Sequence, residues 1–505
     1  MSEQAKEQHS LSTLTPHIVS GSAWMIGMRW ALRGIGLVNT IILARLLTPD
    51  DFGVIAMAMI AVGFLQTMAE ANVDIAILRN QDAKDDHFHT AWTIKVISGI
   101  AITCVLYLLA PHLANYYGDA RVEIIIYVTA LRALIVGFEN IGVVEFRRNL
   151  DFSKEFRYYL FRRSSLFILT LLLALYFRDY RALVISVPVS ALILVGLSYY
   201  MSSFRPHFCL KQWGELWSFS KWQILTNISK FCAERGDQFI VGGISNATLT
   251  GSYYIASDVS ATPSKEVVQP IGRVMVPIYS KLAHDPQELR QAFKRIFGFI
   301  AIISMSTGFG LSAVSNDFVH AILGQQWAAT IPIFEWLALY GPLIGIIFGV
   351  TPYLQVCHKE KALGLSYIGY VAILIPTMIY FGSAYGIVEI AISRNCVTLG
   401  FACWILVYLS RCSVLTLGDI TAVLWRPILA SIAMYFTVAY FHNSVFSLPI
   451  ASLFFDILLG SITFPLYLLC LWLIAQKPFG PETLILERLA RQLKIFFGAT
   501  SPPPL

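Results

Sequence analysis

Charge is what this 505-residue chain has least of: Asp, Glu, Lys and Arg together make up 13% of it, while 56% is hydrophobic. A soluble globular domain carries about 25% charged and roughly 45–50% apolar residues. The apolar excess runs the whole length of the chain, which excludes a soluble fold and makes the membrane its solvent. Cysteine is sparse too. The eight thiols (Cys104, Cys209, Cys232, Cys357, Cys396, Cys403, Cys412 and Cys470) show no paired or metal-ligand spacing, which argues against a disulfide scaffold. Glycine-rich pieces such as Gly242-Gly243 lack the Walker and dinucleotide patterns, so no cofactor is expected. Nothing points to a nucleic-acid partner. His87 and His89, with Asp85 and Asp86, have no distant partner set that would complete a metal site. The start does not read as a signal peptide: its apolar stretch carries Arg29, Arg33 and Arg45, whereas a secretory core is short and uncharged. Residues 1–17 are expected to form a cytoplasmic tail.

What is present is a series of long apolar runs. A helix needs about 20 mostly apolar residues to cross the hydrocarbon core. Breaking the chain at polar and turn-forming clusters gives spans near 18–46, 52–78, 88–110, 121–145, 158–177 and 181–201. A second series lies near 217–243, 249–277, 292–314, 330–356, 363–382 and 385–409, followed by a pair near 419–441 and 449–474. Each run is far longer than a barrel strand, so the expected fold is an all-α polytopic membrane protein of about fourteen transmembrane helices. Basic residues collect in alternate loops, such as Arg147, Arg148, Lys154 and Arg157, or Lys281, Arg290, Lys294 and Arg295. The positive-inside rule then puts both termini in the cytoplasm, with Arg121, Arg178 and Arg181 as the main exceptions.

The chain also repeats. Trp24 and Trp222, Gly53 and Gly251, and Ala58 and Ala256 each stand 198 positions apart. Two pseudo-symmetric six-helix lobes are expected, 18–201 and 217–409, plus the helix pair within 419–474, with a substrate site at the lobe interface. Residues 478–497 read as an amphipathic helix on the cytoplasmic surface, Ile485, Leu489, Leu493 and Phe496 falling on one face.

Ionisable residues inside spans carry the functional signal. An Arg, Lys or Asp at a helix centre costs about 2.5–3.5 kcal/mol on translocon scales, so such residues face a bundle interior or a wet cavity. Arg29 and Arg33 share a helix face that Gly36 and Thr40 extend. Gln223, Asn227, Lys230, Glu234 and Asp237 form a stripe in the seventh span. Asp258, Thr262, Lys265, Gln269 and Arg273 form another in the eighth. The cationic set Arg29, Arg33, Lys230, Lys265 and Arg273 would grip an anionic headgroup, because guanidinium presents a permanent planar fork to phosphate oxygens. Glu70, Asp74, Glu234 and Asp258 would pair with those cations or couple transport to an ion. The competing reading makes the same charges structural ion pairs or residues that snorkel to the headgroups. Lys95 and Asp456 read as local.

Three segments resemble a known family. Ala44-Arg45-Leu46-Leu47-Thr48-Pro49-Asp50-Asp51-Phe52-Gly53 is similar to the first outside turn of Wzx-type polysaccharide flippases, in the branch that includes the colanic-acid exporter. Phe146-Arg147-Arg148-Asn149-Leu150-Asp151-Phe152 resembles that branch's basic loop after the fourth span, and Val276-Pro277-Ile278-Tyr279-Ser280-Lys281-Leu282 the end of its eighth. Ala71-Asn72-Val73-Asp74 and Cys357-His358-Lys359 depart from the family pattern. The resemblance implies membership of the multidrug/oligosaccharidyl-lipid/polysaccharide exporter superfamily, with alternating access and a polyprenyl-diphosphate-linked oligosaccharide as substrate. It also implies an inner-membrane location, membrane lipid around the substrate tail and a polysaccharide polymerase downstream. A multidrug exporter of the same superfamily, or a membrane polymerase or glycosyltransferase, is the alternative. An enzyme would need a sizeable loop carrying catalytic carboxylates, and the longest outside loops run to about fifteen residues by the span reading.

Overall fold

The polar breaks between apolar runs become turns, and the runs become helices, in a computed structural model of the chain. The structure describes residues 32–69, 77, 84–148, 151–263, 268–282, 284–441, 448–476 and 482–483. Among these residues there is no strand. The first helix, α1, covers 32–46. It is followed by α2 (Pro49–Ala69), α3 (Asp85–Tyr117), α4 (Arg121–Gly137), α5 (Phe152–Phe177) and α6 (Arg181–Met201). Then come α7 (Trp213–Ile244), α8 (Ala247–Pro263), α9 (Gln269–Leu282) and α10 (Pro286–Ala313). Further along lie α11 (Ile331–Ala338), α12 (Tyr340–Val356), α13 (Glu360–Tyr385), α14 (Ile387–Cys412), α15 (Leu417–Phe441) and α16 (Pro449–Ile474), with short helical turns between some of the named helices. Among the described residues, ten helical stretches are long and apolar enough to cross a membrane. This is an all-α polytopic membrane protein, as the run lengths predict, and α6 and α16 match their expected spans residue for residue.

Other boundaries moved for identifiable reasons. The third span, expected at 88–110, is the 33-residue α3, about 50 Å long and therefore longer than the hydrocarbon core. Its extra first turns are polar and are stapled to the segment that joins α6 to α7. The backbone N–H groups of His207, Cys209 and Gln212 donate to His89 Nδ1, Thr93 Oγ1 and Thr90 Oγ1. Its far end stops at Gly118, whose φ of 68° is the left-handed conformation that a helix-terminating glycine supplies. The fourth span, expected to reach 145, ends at Gly137 because Asn140 diverts the chain. Its Oδ1 accepts from Gly142 N–H at 2.9 Å, and its amide donates to the Phe204 carbonyl at 2.7 Å.

The contacts divide the chain into two units, Met1–Gly251 and Ser252–Leu505. The sequence boundary at 217 differs from this division because α7 packs on α2, with the Phe64 and Phe231 rings 5.6 Å apart. The first unit's core joins Val54, Met57 and Val62 of α2 to Leu106 and Ala110 of α3 and Ile125 and Ile126 of α4. Small residues let the helices close up: a Cβ on Gly99 of α3 would lie 2.6 Å from the Ala133 carbonyl oxygen of α4. The second unit is held by a fully buried aromatic group, Tyr279, Phe293, Phe297 and Tyr353, and by an apolar cluster of Met434, Val438, Leu453 and Phe464. Large apolar side chains such as Leu108, Leu172, Ile373 and Phe454 are exposed on helix surfaces, which fits lipid as the outer solvent. All eight cysteines are free thiols.

Candidate functional site

The resemblance motif builds one end of the first unit. Thr48 and Asp51 form a reciprocal cap on α2: the Thr48 N–H and hydroxyl donate to Asp51 Oδ2 at 2.9 and 2.7 Å. Asp51 Oδ1 then accepts from the Tyr180 N–H at 2.9 Å, tying the α5–α6 turn to the same point. Asp50 pairs with Arg121 at 2.6 Å, and Arg121 also pairs with Asp119 at 2.7 Å. The hydrogen bond from Arg121 holds the Asp119 carboxyl below the usual carboxylate range. Arg121, an exception to the charge rule, is thus tied into this network.

Within the helices, the α1 face read from sequence is the candidate binding surface. Arg33, Gly36 and Thr40 recur at helical spacing, and the Thr40 hydroxyl donates back to the Gly36 carbonyl at 3.1 Å. Gly36 is buried because the guanidinium of Arg163, from α5, lies on it: a Cβ there would sit 2.6 Å from Arg163 Nη2. On the neighbouring helices Arg132 Nη1 donates to Gln66 Oε1 at 3.3 Å, linking α4 to α2.

A second polar cluster lies where α3, α5 and the end of α4 meet. Lys95 Nζ is 3.3 Å from Glu139, the Tyr158 hydroxyl donates to the other Glu139 oxygen, and Arg162 adds a further positive charge nearby. Lys95 therefore pairs across elements rather than locally. In the second unit Arg394 is buried with its guanidinium 3.9 Å from the Tyr340 ring centroid, a cation–π contact. Tyr435 donates to Glu335 at 2.9 Å. Arg290 and Lys294 of α10 both pair with Asp419 at the start of α15, at 2.7 and 3.2 Å. Arg426 pairs with Glu482 at 2.9 Å. Asp456 is fully buried in α16.

Of the residues proposed from sequence, Arg33 and Glu234 have described side chains in the first unit and Asp258 in the second. Glu234 is exposed on α7, and Asp258 is half-buried, its carbonyl accepting from the Thr262 hydroxyl at 2.9 Å. Arg29, Glu70, Asp74 and Lys265 lie outside the described residues, as do the side chains of Lys230 and Arg273. The expected tail 1–17 and most of the helix 478–497 are likewise outside them. His87 and His89 serve local structure: His87 Nδ1 accepts from the Lys84 N–H, and His89 stacks on His207.

Sequence reasoning missed Arg162 and Arg163. A span begun at 158 puts them near its start, whereas α5 begins at Phe152 and carries them as its eleventh and twelfth residues. The signal was available in Asp151, whose side chain accepts from the Lys154 N–H and so starts the helix six residues earlier.

A family model described as "Polysaccharide biosynthesis protein" matches residues 42–332. The lipopolysaccharide biosynthesis protein WzxC of Escherichia coli (strain K12) is 22% identical over 335 residues, 66% of this chain and 68% of that protein. The succinoglycan biosynthesis transport protein ExoT of Rhizobium meliloti (strain 1021) is 23% identical over 337 residues, 66% of this chain and 68% of its own length. Among solved structures, the lipid II flippase MurJ in an inward closed conformation superposes with a TM-score of 0.73 at 13% identity, covering 90% of this chain and 99% of that one. At that identity the likeness establishes a shared fold.

Proposed function

The chain belongs to the polysaccharide biosynthesis protein family, and from that premise we propose that it is a flippase for a polyprenyl-diphosphate-linked oligosaccharide repeat unit. It carries the unit from the cytoplasmic to the outer leaflet of the inner membrane by alternating access, with both termini in the cytoplasm. The observation that carries this reading is the polar face of α1, where the half-buried Arg33 shares a helix face with Gly36 and Thr40. The transport-protein and flippase titles of ExoT and MurJ support the same assignment.

Bare passage of the diphosphate through hydrocarbon costs at least several kcal/mol per charge. The cationic residues proposed from sequence, Arg29, Arg33, Lys230, Lys265 and Arg273, grip the diphosphate and remove most of that barrier, while the polyprenyl tail stays in lipid. With the cytoplasm negative, outward movement of an anion is downhill by about 2.3 kcal/mol per charge per 100 mV. Glu70, Asp74, Glu234 and Asp258 balance the cations when no substrate is bound or couple the step to an ion. The reading is one of transport without covalent chemistry, the flipped unit passing to a polysaccharide polymerase on the far side.

The test uses proteoliposomes holding the purified protein and a polyprenyl-diphosphate oligosaccharide, scoring the fraction of headgroups accessible from outside with and without an imposed potential. Protein-dependent equilibration, lost in the Arg29→Ala/Arg33→Ala double variant, is the expected result. No headgroup movement, together with uptake of an organic cation, would assign the chain to drug export instead.

A further inference from the structure

Two adjacent arginines in the middle of α5 have different surroundings. Arg162 is close enough to Glu139 for its charge to act on that carboxylate, within the cluster that includes Lys95 and Tyr158. Arg163, about 100° further round the helix, extends its guanidinium onto Gly36 of α1. Eleven residues separate it from Phe152 and fourteen from Phe177, so it lies about 16 Å and 21 Å from the helix ends, in the central zone of a span.

Arg163 is exposed, yet its exposure is not toward lipid. The lipid-facing side of α5 is marked by Phe161, Ile168, Leu172 and Leu175, all more than half exposed. At about 100° per residue these fall roughly 120–180° from Arg163 on the helical wheel. The guanidinium instead faces α1, on the surface that carries Arg33, and Arg33 and Gly36 are neighbours on that helix at i and i+3. A charge in mid-membrane costs about 2.5–3.5 kcal/mol on translocon scales, and the helix has spent a glycine to seat it there. Gly34, two residues away, has nothing within 4 Å of its Cβ position, so the guanidinium lies over Gly36 specifically.

We propose that Arg163 is a further headgroup-binding residue, its guanidinium held over Gly36 so that α1 and α5 together present two cationic forks to the two phosphates of a diphosphate. The inference rests on the flippase reading above and deepens it: the paired forks select a polyprenyl diphosphate over a monophosphate and over the phosphate of bulk phospholipid. Gly36 is a positioning residue, which sets where the fork sits without contributing charge.

The test measures binding of polyprenyl diphosphate, polyprenyl monophosphate and phosphatidylglycerol to the purified full chain by native mass spectrometry, with thermal unfolding as the check on folding. Arg163→Gln is expected to weaken diphosphate binding by about tenfold or more and to erase its preference over the monophosphate. Gly36→Ala should do the same in lesser degree, since its methyl displaces only the tip of a flexible side chain and leaves the charge in place. Arg163→Lys should restore less than the full preference, because an ammonium lacks the fork. Arg162→Gln should lower the unfolding midpoint and leave the preference for diphosphate intact. Unchanged diphosphate binding in Arg163→Gln and Gly36→Ala, with Arg29→Ala/Arg33→Ala still defective, overturns the role of Arg163 alone. Equal losses for phosphatidylglycerol overturn it too, by assigning the fork to bulk lipid. Failure of the unaltered protein to bind polyprenyl diphosphate at all defeats the flippase reading itself.

Discussion

Gly53 of α2 and Gly251 of α8 press against the opposite helix's first turn in a reciprocal way. A Cβ on Gly53 would run into the Ala247 carbonyl, and a Cβ on Gly251 into the Pro49 carbonyl. Pro49 and Ala247 are the first residues of their helices, and like the two glycines they stand 198 positions apart. When residue i touches j and the equivalent of j touches the equivalent of i, a local two-fold relates the two contacts. The glycines therefore carry the backbone approach, and neither tolerates a side chain. Gly53→Ala and Gly251→Ala are each expected to destabilise by about 1–3 kcal/mol or more, the range for overpacking. Gly34→Ala, with open space at its Cβ position, should be neutral or slightly stabilising. Thermal unfolding of the three purified variants checks this, and equal midpoints would contradict the contact.

The run lengths made most of the fold legible, because a membrane span demands length and apolarity and little else. Boundaries failed where polar residues extend a helix beyond the lipid, as at the start of α3, or where one side chain such as Asn140 stops it early. The site was harder to read. Helical spacing showed that Arg33, Gly36 and Thr40 share a face, but no spacing rule connects Gly36 with Arg163 on another helix. Nor does any spacing rule connect Glu139 with its partners, since Lys95 and Tyr158 come from two different elements. Pairing across 44 positions is a property of packing, which a single sequence does not record.

The Glu139 cluster should behave as a buried ion pair. Glu139→Gln leaves the Lys95 ammonium without its counter-charge in a site where Lys95 is only 20% exposed. Breaking such a pair costs about 3–5 kcal/mol, and the residual exposure of Lys95 puts the expected loss near the lower end. Replacing both partners, Lys95→Met with Glu139→Leu, should recover most of the stability, since no unpaired charge remains. Urea or thermal unfolding of the single and double variants distinguishes the two cases. A double variant as weak as the single would mean the loss came from packing.

Acid should loosen the turn between α3 and α4. Asp119 has its pKa lowered by the Arg121 hydrogen bond, so it binds fewer protons folded than unfolded at mildly acidic pH. Its contribution is fully present above the unfolded carboxylate value of about 3.9 and is lost as pH falls through the lower folded value. Asp119→Asn is expected to be less stable than the unaltered protein at pH 7, and the gap should close below about pH 4. A gap that stays constant from pH 7 to pH 3 would show that the carboxylate's charge plays no part.

Arg426 offers the sharpest test of how the C-terminal segment is attached. It lies nine residues into α15, about 13 Å along the helix, and is 3% exposed. Its partner Glu482, 5% exposed, comes from the stretch whose sequence reads as a surface helix over 478–497. A guanidinium at that depth needs a counter-charge, and the Glu482 carboxylate supplies it. Glu482→Ala should therefore destabilise by about 3–5 kcal/mol, and truncation after Gln476 should cost at least as much. Arg426→Met combined with Glu482→Leu should return close to the unaltered stability, and the charge swap Arg426→Glu with Glu482→Arg should recover part of it. Thermal unfolding gives the stabilities, and headgroup accessibility in proteoliposomes shows whether the pair also serves transport. If truncation leaves the unfolding midpoint unchanged, Glu482 does not hold Arg426 and the segment is a passive tail.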